Sequence, residues 1–242
     1  MKSNPLLELA HPIRMKILRT IAVEPLTLEG TAKHIGATVE ETKINLERLT
    51  NFRFVEKDAN GKYHAAPLGH LALSTLADMD FVAQHSDFFQ EHELSLLPQE
   101  LVSRLGELAE SERLEGSVSN IQRVERVVER SKGRVWVVTN EVLMDAVPII
   151  RDKISKGIDF RIIIDQTFKP PESFSPSIPD KWRQIPKIPA ATVLTGNEAM
   201  LFFPNRKLDL DTAHAFTSED SQFMKWCEDL VEILWHEGHG LK

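Results

Sequence analysis

The order of local signals in the first 66 residues constrains this chain more than any other feature. A helix is predicted from about Pro5 to Ala10. His11-Pro12-Ile13-Arg14-Met15-Lys16-Ile17-Leu18 restarts it, with Pro12 in a first turn where its missing N–H costs nothing. Thr27 to Ile35 reads as a short helix stopped by Gly36. Thr38-Val39-Glu40-Glu41 has capping-box spacing and opens a longer third helix containing Leu46, Leu49 and Phe52. Phe54–Lys57, Asp58–Gly61 and Lys62–Ala65 follow as strand, turn and strand, the Asn60-Gly61 pair being a strong short hairpin signal.

Helix, helix, turn, helix and hairpin in this order imply a winged helix-turn-helix, a domain that places one helix in a DNA groove. The spacing of the third helix predicts Val39, Thr42, Leu46 and Leu49 on its packed side. Glu40, Glu41, Lys43, Ile44, Glu47 and Arg48 then face outward. Lys43 and Arg48 are the cationic candidates for base or phosphate contact, and Glu40 or Glu41 can accept from a cytosine amino group. Thr38, Glu40, Glu41, Lys43, Ile44 and Arg48 form the candidate reading set, with Lys57, Asn60 and Lys62 of the hairpin as phosphate or minor-groove candidates. A solvated helix face and an ordinary turn are the bland alternatives. Residues 1–66 hold ten Lys+Arg and eight Asp+Glu, +2 in all, against −9 for the remainder. So small an excess predicts modest non-specific DNA affinity and reliance on a dimer.

Leu9–Leu18, the apolar frame of the third helix, and Leu49-Thr50-Asn51-Phe52-Arg53-Phe54-Val55 resemble the ArsR-like winged helix of bacterial and archaeal transcription regulators. The resemblance covers about a quarter of the chain. That family usually has a glycine just before the wing strand, where this chain has Arg53.

The length of 242 residues allows two modest domains, and 42% hydrophobic residues suffice for real cores. A single cysteine, Cys227, excludes an internal disulfide. Met1–Pro5 lacks an apolar secretory segment, and no apolar run approaches the ~20 residues of a membrane span. The expectation is a cytoplasmic protein with no membrane partner.

Residues 67–116 read as a helical linker and dimerisation region. Leu68, Leu71, Leu76, Phe81 and Val82 are too dense for one exposed helix, and a twin copy is the expected partner. Leu97, Leu101, Leu105 and Leu108 give a further amphipathic stretch, and Glu110–Gly116 reads as a polar loop. A second domain is expected over 117–242. Ile121, Val124 and Val128 mark a helix, Arg134–Thr139 a buried strand, Glu141–Lys156 a helix bent at Pro148, and Ile158–Asp165 a second strand. Strand, crossover helix and strand imply a parallel βαβ unit. Ala191–Thr195 and Glu198–Phe203 form a hairpin, and Ser218 to His236 a last helix with Phe223, Cys227, Leu230 and Leu234 inward. The fold class is thus a winged helix-turn-helix, a helical linker and an α/β domain.

Arg134–Thr139, Ile154–Asp165 and Ser218–Leu230 resemble the phospholipase-D-like ligand domain of archaeal regulators of the TrmB type and of the methanogenesis-regulator type. The enzymes of that fold carry H-x-K. Here the nearest counterpart is His214-Ala215-Phe216, with phenylalanine in place of lysine. The resemblance therefore implies a fold reused for sensing or dimerisation, with no catalytic residues and no cofactor.

Open parallel sheets bind ligands beyond the carboxyl ends of their strands, which points to Asn140, Glu141 and Asp165. The proline-rich stretch Lys169–Pro189 holds six of the 13 prolines and is placed to cover that opening, with Trp182 available for stacking. A stiff surface loop and helix-capping roles are the alternatives. Two histidine groups, His236 with His239 and His85 with Glu91, His92 and Glu93, suit charged or fraying helix surfaces better than a metal. The expectation is a homodimeric regulator whose partners are double-stranded DNA, its own second copy and a small-molecule effector. The alternatives are a phosphodiester-cleaving enzyme of the phospholipase-D-like fold, and a protein-interaction module whose winged helix no longer binds DNA.

Overall fold

The computed structural model describes residues 4–141, 147–168 and 181–240. They form two compact units, residues 1–77 and 78–242.

In the first unit, α1 (Pro5–Leu9), α2 (Pro12–Val23), α3 (Leu28–Ile35) and α4 (Val39–Asn51) precede β1 (Val55–Lys57) and β2 (Tyr63–Ala65). The helix α5 (Pro67–Gln84) begins in this unit and ends in the next. The predicted stops and starts are realised by identifiable bonds. Thr27 Oγ1 accepts from the Gly30 N–H at 3.1 Å and opens α3. Gly36, at φ 74°, closes it. Thr38 Oγ1 accepts from the Glu41 N–H at 3.1 Å and opens α4. Ile17, Leu18, Ile21, Leu46, Leu49 and Phe54 build the core, and α5 adds Ala72, Leu73 and Leu76 at its edge. Leu26 exchanges backbone hydrogen bonds with Tyr63 at 3.1 and 2.7 Å, which adds a third short segment to the β1–β2 hairpin.

The turn from α4 into β1 ends in a Schellman arrangement. The Phe54 N–H donates to the Leu49 carbonyl at 3.0 Å, and the Arg53 N–H donates to that of Thr50 at 2.9 Å. Arg53 lies at φ 61°, in the left-handed region that favours glycine. The chain keeps the geometry a glycine would supply and replaces only the residue.

The second unit is a seven-stranded mixed sheet between helical layers. Its strands are β3 (Glu112–Glu115), β4 (Arg134–Thr139), β5 (Asp159–Asp165), β6 (Trp182–Ile185), β7 (Ala191–Thr195), β8 (Ala199–Phe202) and β9 (His214–Ser218), in the order β3-β9-β8-β7-β4-β5-β6. β4 pairs in parallel with β5, and β5 with β6; every other pairing is antiparallel. α6 (Ser86–Glu91), α7 (Gln99–Val102), α8 (Ser117–Arg130), α9 (Val147–Ser155) and α10 (Ser221–Glu237) are its further helices. Alternate residues separate the sheet's two faces. Trp136, Val138, Ile163, Leu194 and Phe216 pack with α10 and with Phe81, Phe88, Leu101 and Leu108. Val135, Phe160, Ile162, Ile164 and Met200 pack with α8, with Ile149 and Ile150 of α9 alongside. Burial on both faces explains the unbroken apolar run Ile162-Ile163-Ile164. The Trp226 Nε1–H, fully buried, donates to the Leu101 carbonyl at 3.1 Å and ties α10 to α7.

Several sequence expectations differ from this arrangement. Residues 78–116 do not stand apart as a linker: Phe81, Phe88, Leu97, Leu101, Leu105 and Leu108 are core residues of the second unit. The amphipathic stretch over Leu94–Leu108 is not one helix but α7 and a 3-10 turn, Leu105–Leu108, because Pro98 restarts the backbone just before α7. The polar segment Glu110–Gly116 contains β3, whose register with β9 runs from Glu112↔Thr217 to Glu115↔His214. Exposed polar residues suit this edge strand. Pro148 is the second residue of α9, and residues 142–146 of the expected helix lie outside the described residues. The last helix starts at Ser221, since Asp220 caps it and Ser218 ends β9. Residues 169–180 of the proline-rich stretch also lie outside the described residues. Further along that stretch, Trp182–Ile185 form β6.

Candidate functional site

The exposed side of α4 is assembled by what its other side buries. Thr42, Asn45, Leu46 and Leu49 are buried. Val39, expected among them, is 45% exposed because it occupies the first helical position, short of the core, and Asn45 completes the packed side instead. The Thr42 hydroxyl donates to the Thr38 carbonyl at 2.8 Å, and Asn45 Nδ2 donates to that of Glu41 at 2.8 Å, so neither buried polar group is wasted. Glu40, Glu41, Lys43, Ile44, Glu47 and Arg48 are all exposed, with Ile44 52% exposed, and Thr38 is exposed at the cap.

A buried ionic group that the sequence reading did not find supports this helix. Arg14 Nε lies 3.2 Å from Glu8 Oε2, and both side chains are more than nine-tenths buried. The same Nε donates to the Glu8 carbonyl at 2.8 Å, while a guanidinium NH donates to Asn45 Oδ1 at 3.5 Å. The pair thus links α1, α2 and α4. Removing one partner of such a buried pair strands the other charge. Arg48 lies 3.6 Å from the same Glu8 carboxylate. Of the two cations proposed on α4, Arg48 is therefore engaged in the fold, whereas Lys43 makes no ion pair among the described residues.

In the hairpin, Asp58 Oδ1 accepts from the backbone N–H of Asn60 at 2.9 Å and of Lys62 at 2.8 Å. Gly61 takes φ 80°. Asn60 and Lys62 are exposed, and Lys57 Nζ sits 5.0 Å from the centroid of the Tyr63 ring. The wing thus presents Lys57, Asn60 and Lys62 from a turn pinned by one carboxylate.

The strand-end residues of the second unit separate into two places. Asn140 and Glu141 rim a cavity of about 140 Å³ between the sheet, α8 and α9. Its walls are aliphatic, including Val124, Val128, Val137, Ile149, Ile150 and Ile162, and Thr139 and Thr212 add hydroxyls. Thr139 Oγ1 donates to the Glu141 carbonyl at 2.8 Å and accepts from its N–H at 3.2 Å. Asp165 is not part of that wall. It is 9% exposed, and its Oδ1 accepts from the Thr167 N–H at 2.7 Å to shape the turn after β5. Trp182 is 4% exposed within the core beside β5, so it does not stand over the opening as a stacking lid. The His214-Ala215-Phe216 segment is strand β9, where Phe216 is fully buried and supplies no cation in place of the lysine.

No helix among the described residues is long and apolar enough to cross a membrane. Comparison of the sequence with protein-family models and with curated proteins finds no match. The fold is similar to several solved structures at low sequence identity. TrmBL2, an archaeal chromatin protein with a novel mode of DNA binding, is 10% identical over 95% of this chain and 94% of its own, with a TM-score of 0.45. NucT from Helicobacter pylori is 8% identical and covers 54% of this chain and 98% of its own, with a TM-score of 0.43. A transcriptional regulator from Alicyclobacillus acidocaldarius is 9% identical over 97% of this chain and 98% of its own, with a TM-score of 0.32.

Proposed function

We propose that the chain is a DNA-binding transcription regulator of the ArsR-like winged-helix kind, which reads a major groove with α4 and touches the backbone with its hairpin. The observation that carries this reading is the two-sidedness of α4. One side is locked to α1 and α2 by Leu46, Leu49 and the Arg14–Asn45 contact, and the other holds six exposed side chains over two turns. Glu40, Glu41, Lys43 and Ile44 are the base-reading set, and Lys57, Asn60 and Lys62 are the backbone set.

Selection from a random pool of DNA duplexes tests the reading directly. An enriched sequence should emerge, and Lys43→Ala should weaken its binding by about 1–3 kcal/mol at fixed salt. Absence of any enriched sequence, or unchanged affinity of the variant, would remove α4 as the reader.

The second unit is proposed as a phospholipase-D-like module used for sensing. The aliphatic cavity rimmed by Thr139, Asn140 and Glu141 suits an effector with an apolar body and one polar end. Such a ligand shifts DNA affinity only if it binds one conformation better than another. A homodimer is proposed through α5, where Leu68 and Leu71 are 45% and 62% exposed. A monomer mass in light scattering at micromolar concentration would rule that out.

A further inference from the structure

One side chain after α6 converges in the second unit with two from the loop before β9 and its first residue, the nearer of them 119 residues further on. His92 follows α6, Asp211 lies in the loop before β9, and His214 is the first residue of β9. His92 Nε2 is 2.9 Å from Asp211 Oδ2, and His214 Nδ1 is 2.7 Å from the same oxygen. One ligand atom from each residue lies within 4.8 Å of the others.

We propose that His92, Asp211 and His214 bind a divalent transition-metal ion of the zinc type. The donor set is two imidazole nitrogens and one carboxylate oxygen, which suits a borderline ion far better than magnesium or calcium. Two of the three donors are held from behind. His92 Nδ1–H donates to the Phe88 carbonyl at 2.7 Å, which fixes the tautomer that turns the Nε2 lone pair toward an ion. The ring also stacks on Phe88, with centroids 3.6 Å apart. Asp211 Oδ1 accepts from the Ala213 N–H at 2.8 Å, leaving Oδ2 to face both histidines.

The spacing is close to what an ion needs. Donors about 2.0–2.1 Å from a tetrahedral ion lie about 3.3 Å apart, so the two short N···O distances must open by roughly half an ångström. Two of the three residues have room to do so. The side chain of His214 is 33% exposed and that of Asp211 is 18% exposed, whereas that of His92 is 4% exposed and fixed. Three protein donors with one solvent side leave a fourth position for water or a small ligand. A bound ion would clamp the segment after α6 to the start of β9, and the assignment does not depend on DNA binding.

The test uses the full chain stripped with a chelator and titrated with Co²⁺, then Zn²⁺. The expected result is one ion per chain, visible ligand-field bands from Co²⁺, their loss on adding Zn²⁺, and a higher Tm with Zn²⁺. His214→Ala should weaken binding roughly tenfold or more. His236→Ala combined with His239→Ala should leave it unchanged. No Co²⁺ bands at equimolar metal, full binding by His214→Ala, or loss of binding in the His236/His239 double variant would each overturn the site. If His214→Ala fails to fold, anomalous diffraction at the zinc edge from wild-type crystals decides the matter. A peak between the three donor atoms supports the assignment, and a peak elsewhere or none refutes it.

Discussion

Arg53 is where the first unit stores removable strain. It holds φ 61° at the residue that closes the Schellman turn after α4. A left-handed conformation costs an L-residue with a Cβ roughly 1–2 kcal/mol. Arg53→Gly removes that cost but gives back about 0.5–1 kcal/mol through the greater freedom of glycine in the unfolded chain. The net expectation is a stabilisation of about 0.5–1 kcal/mol, or a two- to fivefold shift in the opening equilibrium. All four tryptophans lie in the second unit, so their fluorescence does not report this change. Native-state hydrogen exchange at the buried helical amides of Leu46 and Leu49 does, and exchange there should slow two- to fivefold. Arg53→Ala is the control, since it deletes the side chain and keeps the strain. Equal slowing in the alanine variant, or faster exchange in the glycine variant, would refute the argument from backbone geometry.

Four other outcomes are expected. Gly69→Ala should destabilise the first unit by about 1–3 kcal/mol, because a Cβ there collides with the Phe54 carbonyl oxygen; an unchanged denaturation midpoint by circular dichroism would contradict it. Thr38→Ala should cost about 1 kcal/mol by removing the α4 cap, and Thr38→Ser should restore it in the same measurement. Cys227 is fully buried, and that burial pushes its thiol up to about 12. A folded value above the unfolded one means stability is complete below the unfolded pKa and declines as pH rises through the folded one; thiol labelling at pH 8 should therefore track unfolding and not precede it. Burial raises the Asp229 pKa, but hydrogen bonds from Lys225 and Arg104 outweigh it and hold the carboxyl below its ordinary range. Its contribution is present above the unfolded value of about 3.9 and is lost as pH falls through the folded one, so Asp229→Asn should flatten the acid limb of an unfolding-versus-pH curve.

What could be read from the sequence divides along a physical line. Signals carried by neighbouring residues were legible. The Thr38 cap, the Gly36 stop, the βαβ order of β4, α9 and β5, and the inward stripe Phe223, Cys227, Leu230 and Leu234 each need only a few residues to specify. Elements that depend on a distant partner were not. β3 reads as a polar loop because its partner β9 lies about a hundred residues away. β6 is hidden behind prolines and becomes a strand through pairing with β5. Polar constellations are the extreme case. Arg14 and Asn45 are 31 residues apart, and His92 and Asp211 are 119 apart, so no local pattern announces either. On α4 the exposed positions Glu40, Glu41, Lys43, Ile44, Glu47 and Arg48 follow from helical spacing, but the exposure of Val39 and the engagement of Arg48 with Glu8 do not, since they require knowing where the core and α1 lie.

The acidic start of α4 gives the proposed DNA reader its particular character. Glu40 and Glu41 occupy the first turn, where the helix dipole favours negative charge. The same carboxylates oppose any phosphate that approaches this end of the helix. Few cations offset them: Arg48 is shared with Glu8, which leaves Lys43 on α4 and Lys57 and Lys62 on the hairpin. Counterion release then contributes little, because its magnitude follows the number of phosphates neutralised. In the proposed reading, affinity comes instead from base contacts and from the proposed second copy. A shallow dependence of binding on salt is the consequence, with discrimination between sequences that survives at high ionic strength. Glu40→Gln with Glu41→Gln separates the two roles of these residues. It weakens the helix start slightly and relieves phosphate repulsion, so binding to any duplex should rise while preference for the selected sequence falls. If selectivity is untouched, the carboxylates serve α4 alone and the reading of bases rests on Lys43 and Ile44.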